Sequence, residues 1–183
     1  MRSMVRLAAT WPGGAATLRA VLVRPLETAD LDAAVALNNA NIPAVNEIDR
    51  DELERLSSIS LVSLAAEVDG AFAGFCVVFG PGADYASRNY AWFSARYDDF
   101  AYLDRIAVDA TLRRAGVGRA FYATLVERLA GTTPVLLCEV NLVPRNDVSL
   151  AFHASIGFTE VGRQHPYGDE REVSLLELPL PLI

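Results

Sequence analysis

Read from the amino end, the apolar positions alternate between short continuous runs and stripes at helical spacing. Residues 20–24 (AVLVR) form a short run closed by Pro25, which predicts a strand. Thr28 then offers a helix cap, with Asp30 and Asp32 in a first turn where the helix dipole favours negative charge. That helix is expected to run to about residue 41, ahead of Pro43. A second helical segment covers 49–58, with Leu53 and Leu56 on one face. Residues 61–68 and 71–79 are apolar almost throughout and meet at Asp69-Gly70, which predicts a tight hairpin of strands covered on both faces. The stretch 81–99 reads as a long connection rich in aromatic residues: Tyr85, Tyr90, Trp92, Phe93 and Tyr97. Its composition is at odds with disorder, and connections of this length usually have a task.

The second half has a different rhythm. A strand over 100–108 is followed by an amphipathic helix over 116–130, with Phe121, Tyr122, Leu125, Val126 and Leu129 on its stripe and Gly131 past its end. Another strand covers 135–140. A short helix covers 146–156, with Asn146 as N-cap and Gly157 beyond it. Residues 158–163 and 172–178 read as two strands, an antiparallel pair. Hairpins early and crossover helices late predict an α/β (α+β) fold: a mixed, mostly antiparallel central sheet of about seven strands with helices on both faces. One domain is expected over 20–183, preceded by a flexible extension over 1–19.

Composition narrows the chemistry. The net charge is −7, which argues against a nucleic-acid partner, because phosphate neutralisation calls for a basic patch. No apolar run approaches the roughly 20 residues of a membrane span, and a cytoplasmic location is expected. All 16 basic residues are arginine, so neither a lysine-containing phosphate loop nor a Schiff-base lysine exists here. Cys76 and Cys138 lie far apart in apolar runs, and the chain has 2 histidines, so no metal site is expected.

What remains is the segment 101–121, AYLDRIAVDATLRRAGVGRAF. A strand leads through a polar connection to a helix that begins near Gly116–Gly118. The first N–H groups of a helix are unpaired and carry about half a positive charge. Small residues at 115, 116 and 118 would let an anion approach that backbone, and Arg113, Arg114 and Arg119 add charge around it. A dinucleotide fingerprint starting at Gly116 fails, because it needs Gly or Ala where Phe121 stands. Taken alone, the glycines could also serve only as a helix cap.

The turn Arg113-x-x-Gly116-x-Gly118, after a strand and opening a helix, resembles the acetyl-CoA motif of the GNAT superfamily of N-acetyltransferases. The segment 146–158, NDVSLAFHASIGF, is similar to that family's second helix, which ends in a Gly-Phe pair. The long stretch 81–99 and the segment 138–144 are similar to features of a bacterial subgroup. The resemblance covers about residues 20–178 and implies an enzyme that transfers acetyl from acetyl-CoA to an amine acceptor in a ternary complex. It also implies that strands 100–108 and 135–141 splay apart around the cosubstrate. Backbone groups of Ile106, Ala107 and Val108 would then pair with the pantetheine. N–H groups of Arg113, Arg114, Ala115, Gly116, Val117, Gly118 and Arg119 would hold the pyrophosphate, and Asn141 and Asn146 would flank the arm. The amide of Val108 would polarise the thioester carbonyl.

Two proton movements remain. Family members often protonate the leaving thiolate with a Tyr four residues before the Gly-Phe pair, and here that position is His153. Imidazole suits the role, although a helix histidine satisfied by a backbone group is the plain alternative. Glu139 and Asp104 are the candidate bases, each equally readable as half of an ion pair with Arg105 or Arg145. Period-2 alternation puts Asp104 on one face with Tyr102 and Ile106. Asn38, Asn39, Asn41 and Asn46 would serve either a polar substrate or turns and caps. Trp92 and Phe93 are expected to cover the sheet rather than line a pocket. A non-catalytic acyl-CoA-binding or sensor module is the alternative function, and a homodimer through a C-terminal edge strand is a further expectation from the family.

Overall fold

The computed structural model describes residues 20–112, 115–166, 168 and 170–181. The extension over 1–19 and the pair Arg113 and Arg114 lie outside the described residues. Seven strands form one sheet: β1 (Val21–Pro25), β2 (Val62–Val68), β3 (Ala71–Phe79), β4 (Ala101–Val108), β5 (Val135–Val143), β6 (Thr159–Gln164) and β7 (Glu172–Pro179). Their spatial order is β1-β2-β3-β4-β5-β7-β6, antiparallel throughout except for the central β4–β5 pair.

Helices cover both faces, as the unbroken apolar runs require. Helices α4 (Val117–Leu129) and α5 (Asp147–Ser155) lie on one face, where Phe121, Leu125, Leu136 and Cys138 share a core. Helices α1 (Leu31–Asn39), α2 (Arg50–Ile59) and α3 (Arg88–Ser94) lie on the other, over Phe75, Phe79, Tyr102 and Leu137. The β2–β3 hairpin turns at Asp69 (φ 53°) and Gly70 (φ 83°), the two left-handed residues that an Asp-Gly turn supplies.

Two local expectations are corrected. Thr28 is not the cap: Glu27 precedes a 3₁₀ turn over Thr28–Asp30, with its backbone N–H bonded to Asp30 Oδ2 at 2.9 Å. The 81–99 connection is not all loop, because Ser87 caps α3 by accepting from the Tyr90 N–H. Trp92 of α3 covers the sheet, as expected, lying so close to β6 that a methyl on Gly162 would come within 2.7 Å of its ring. Among the described residues no helix is long and apolar enough to cross a membrane.

Candidate active site

The central parallel pair is short. Register holds for Ala101↔Leu136, Tyr102↔Leu137 and Leu103↔Cys138, and then stops. Past this fork β4 stays paired to β3 as far as Val108, and β5 stays paired to β7 as far as Val143. The two strands therefore open only toward each other. Asp109 N–H donates to Ala73 O at 2.9 Å, and the Ala107 carbonyl lies against Gly74, where an added Cβ would be 2.6 Å from it. Backbone direction alternates along a strand, so the groups of Ile106 and Val108 face the gap while those of Ala107 face β3. Of the three residues expected to pair with a bound arm, Ala107 thus points its backbone elsewhere.

The alternation of side chains is broken at the fork. Val78 opposes Leu103 and Val77 opposes Arg105, which leaves Asp104 as the extra residue of a β-bulge. The bulge moves Ile106 to the α4–α5 face, with Leu103 and Val108, while Tyr102 and Ala107 belong to the other core. The expected grouping of Asp104 with Ile106 is corrected accordingly.

Two cavities meet at this fork. One of about 180 Å³ is lined on the α4–α5 side by Tyr122, Cys138, Asn146, Ser149 and His153. The other, of about 80 Å³, is lined by Tyr85, Ser87, Asn89, Pro166 and Arg171. Ala44, Val45, Asp104, Arg105, Glu139 and Asn141 line both, so the two cavities adjoin at the fork.

The carboxylates differ in partners. Asp104 forms an ion pair with Arg105 at 2.8 Å and accepts from the Tyr85 hydroxyl; both charged side chains are more than nine-tenths buried. Arg105 also donates to Asn38 Oδ1 at 3.2 Å. Arg145, the other arginine considered, pairs with Asp147 instead. Glu139 has no cation of its own among the hydrogen bonds described: it accepts from the Tyr102 hydroxyl at 2.8 Å and from the Asn89 side chain. Burial, and after it the neighbouring charge of Asp104, pushes its carboxyl up to about 8. A carboxyl held there takes up and releases protons in the working range of a general base.

Opposite Glu139, His153 is buried between two partners. Its Nδ1 is 2.7 Å from Ser149 O and its Nε2 is 2.6 Å from the Tyr122 hydroxyl. Desolvation lowers its pKa, with the Ser149 carbonyl acting in the opposite direction, so the ring is neutral. Burial likewise holds the Tyr122 hydroxyl protonated, and this hydroxyl also meets the Cys138 thiol.

Gly116 adopts φ 87° and caps α4, a conformation that L side chains adopt rarely. The first intrahelical bond runs from Ala120 N–H to Gly116 O at 2.9 Å, so the amides of Val117, Gly118 and Arg119 precede the helix ladder. Gly118 also packs closely: a Cβ there would meet the Phe152 ring at 3.3 Å, so its smallness seats α5 on α4. Asn146 caps α5 by accepting from the Ser149 N–H at 3.1 Å, and Asn141 donates to Pro43 O at 3.2 Å, tying β5 to the α1–α2 connection. The amides of Asn38, Asn39 and Asn41 bond to Asn46 O, Ile48 O and Leu37 O, which is the turn-building use.

Four residues of the site escape a reading of the sequence: Tyr85, Tyr102, Asn89 and Tyr122. Their signal is faint, a hydroxyl or amide on a side chain otherwise placed like a core or loop residue. Among the described residues no group of three or more His, Cys, Asp or Glu side chains is placed to hold a metal ion.

Residues 32–158 match the acetyltransferase (GNAT) family, and the chain belongs to it. The family's members are acetyltransferases that use acetyl-CoA. The fold matches that of the ribosomal-protein-S18-alanine N-acetyltransferase from Escherichia coli, at 22% identity and TM-score 0.68, over 89% of this chain and 96% of that one. It also matches the ribosomal-protein-alanine N-acetyltransferase from Brucella melitensis, at 25% identity and TM-score 0.65, over 87% and 99%. A third match is yncA from Salmonella typhimurium, solved with its cofactor acetyl-CoA, at 18% identity and TM-score 0.63, over 87% and 94%. No curated protein sequence matched.

Proposed function

We propose that the chain transfers an acetyl group from acetyl-CoA to a primary amine, on a small molecule, an amino acid or a peptide terminus, by direct attack with both substrates bound. The observation that carries this reading is the fork: paired β4 and β5 end at Leu103 and Cys138, and two adjoining cavities share their lining there. Acetyl-CoA supplies the activated thioester. The chain's residues suit it: Ile106 and Val108 offer backbone groups to an extended arm, as an added strand would need. The amides of 116–119 and the Arg119 guanidinium suit a pyrophosphate, with Arg113 and Arg114 close in sequence and Asn141 and Asn146 beside the arm. The Val108 amide is the donor for the thioester carbonyl.

Glu139 is the base. A lysine-like amine, with a pKa of about 10.4, must lose a proton before it attacks. The carboxyl raised to about 8 by burial lies where the acceptor cavity joins the fork. Asp104, already paired with Arg105, fixes the field around it rather than exchanging protons. The leaving sulfur receives its proton from the opposite side, where Tyr122 and His153 face the larger cavity. Two of the similar structures act, by name, on ribosomal-protein alanine, so peptide N-termini belong among the acceptors to be tried.

The test is release of CoA thiol from acetyl-CoA over a panel of amines, amino acids and short peptides. Acetylation of at least one, lost in Gly118→Glu, is expected, since that side chain would strike Phe152 and place negative charge at the start of α4. Acetyl-CoA binding without transfer to any acceptor would instead assign a non-catalytic binding module.

A further inference from the structure

We propose that the Tyr122 hydroxyl, and not the His153 ring, gives the proton to the departing thiolate, with His153 the positioning residue that holds this hydroxyl at the fork. The inference rests on the acetyltransferase reading and refines one of its steps.

The hydrogen-bond ledger of His153 comes first. Ser149 O, 2.7 Å from Nδ1, can only accept, so Nδ1 carries the ring proton. A neutral ring then has only a lone pair at Nε2, and that lone pair accepts from Tyr122 at 2.6 Å. No N–H of His153 is left to offer the cleft.

The place of the hydroxyl comes second. Tyr122 reaches from α4 to the side chain of Cys138, the last β5 residue paired with β4, and it lines the cavity that opens there. Its oxygen is thus at the point where the strands part and where the arm held along Ile106 and Val108 must end. Contact with the Cys138 thiol shows that this oxygen already neighbours sulfur.

The chemistry of a hydroxyl comes third. Its single proton turns about the C–O bond, and it rests on Nε2 while no charge is near. As sulfur gains charge, a charge-assisted bond, roughly twice as strong as a neutral one, draws the proton toward it. The carbon–sulfur bond breaks and sulfur keeps the electron pair; the O–H bond of Tyr122 breaks and an S–H bond forms. Tyr122 regains a proton from water through the cleft. The ammonium loses two protons, the first to Glu139 before attack and the second as the tetrahedral nitrogen becomes an amide; both reach solvent, Tyr122 takes one back, and one proton leaves per ammonium acetylated.

The experiment measures steady-state rates with acetyl-CoA and the best amine of the panel, for wild type, Tyr122→Phe, His153→Gln and His153→Phe. Calorimetric titration with acetyl-CoA verifies that each variant still folds and binds. Tyr122→Phe should lower kcat about 100-fold with KM for acetyl-CoA within about threefold. His153→Gln keeps an acceptor for the tyrosine hydroxyl and should retain at least about ten times the kcat of His153→Phe. Wild-type-like kcat in Tyr122→Phe, or equal loss in the two His153 variants, overturns the assignment and returns the acid role to His153. A wild-type protein that binds acetyl-CoA and acetylates nothing overturns the parent reading, and this one with it.

Discussion

Glu139→Gln probes the base with little disturbance, because the amide oxygen can still accept from Tyr102 and only the ionisation is lost. Burial, and then the charge of Asp104, raises the carboxyl to about 8. About a tenth of wild-type molecules therefore carry the base form at about pH 7, and about nine-tenths at about pH 9. Wild-type kcat should rise about tenfold over that interval, while Glu139→Gln loses the inflection and falls about 10²–10⁴-fold at its upper end. The same shift fixes the sign of a stability effect. An acid whose folded pKa lies above its unfolded value keeps its proton longer in the folded chain. Stability is thus lost as pH rises from the unfolded carboxyl range, and the loss stops near 8. A shift from 4.5 to about 8 corresponds to at most roughly 4–5 kcal/mol. Urea unfolding across this window should show wild type losing stability relative to Glu139→Gln as pH rises, the difference levelling off near pH 8. The measurements are a stopped-time thiol-release assay at saturating substrates and equilibrium unfolding by fluorescence. A Glu139→Gln enzyme that keeps the inflection, or whose kcat at about pH 9 lies within about threefold of wild type, refutes the base assignment.

Asp104→Asn should behave differently, as a stability variant: it leaves Arg105 buried without its carboxylate and is expected to cost about 3–5 kcal/mol in denaturant unfolding. Gly162→Ala should cost about 1–3 kcal/mol by forcing a methyl against the Trp92 ring, 2.7 Å away, with acetyl-CoA affinity unchanged. A neutral Gly162→Ala in thermal unfolding would mean that Trp92 does not lie on β6.

The parts of the fold that rest on local periodicity were legible in the chain. Asp69-Gly70 announced its hairpin because a two-residue turn needs both residues left-handed. The stripe on α4 and the cap at Asn146 were readable for the same local reasons. The bulge at Asp104 was not, because an extra residue in one strand is defined only by the strand beside it, and the whole downstream alternation shifts with it. Helix α3, at 7 residues, is too short to establish a period. That Gly118 also packs against Phe152 was not legible, because sequence does not reveal a neighbour 34 positions away. Tyr122 passed as one more aromatic of the α4 stripe, since its ring is in the core and the partner of its hydroxyl, His153, lies 31 positions away.

Amide hydrogen exchange, read residue by residue by NMR with and without saturating acetyl-CoA, tests the gap between β4 and β5 most directly. Protection should rise at Ile106, Val108 and the amides of 117–119, while Ala107 and Asp109, already turned toward β3, change little. Tight binding with exchange at those positions unaltered, and protection appearing elsewhere on the molecule, would contradict the account.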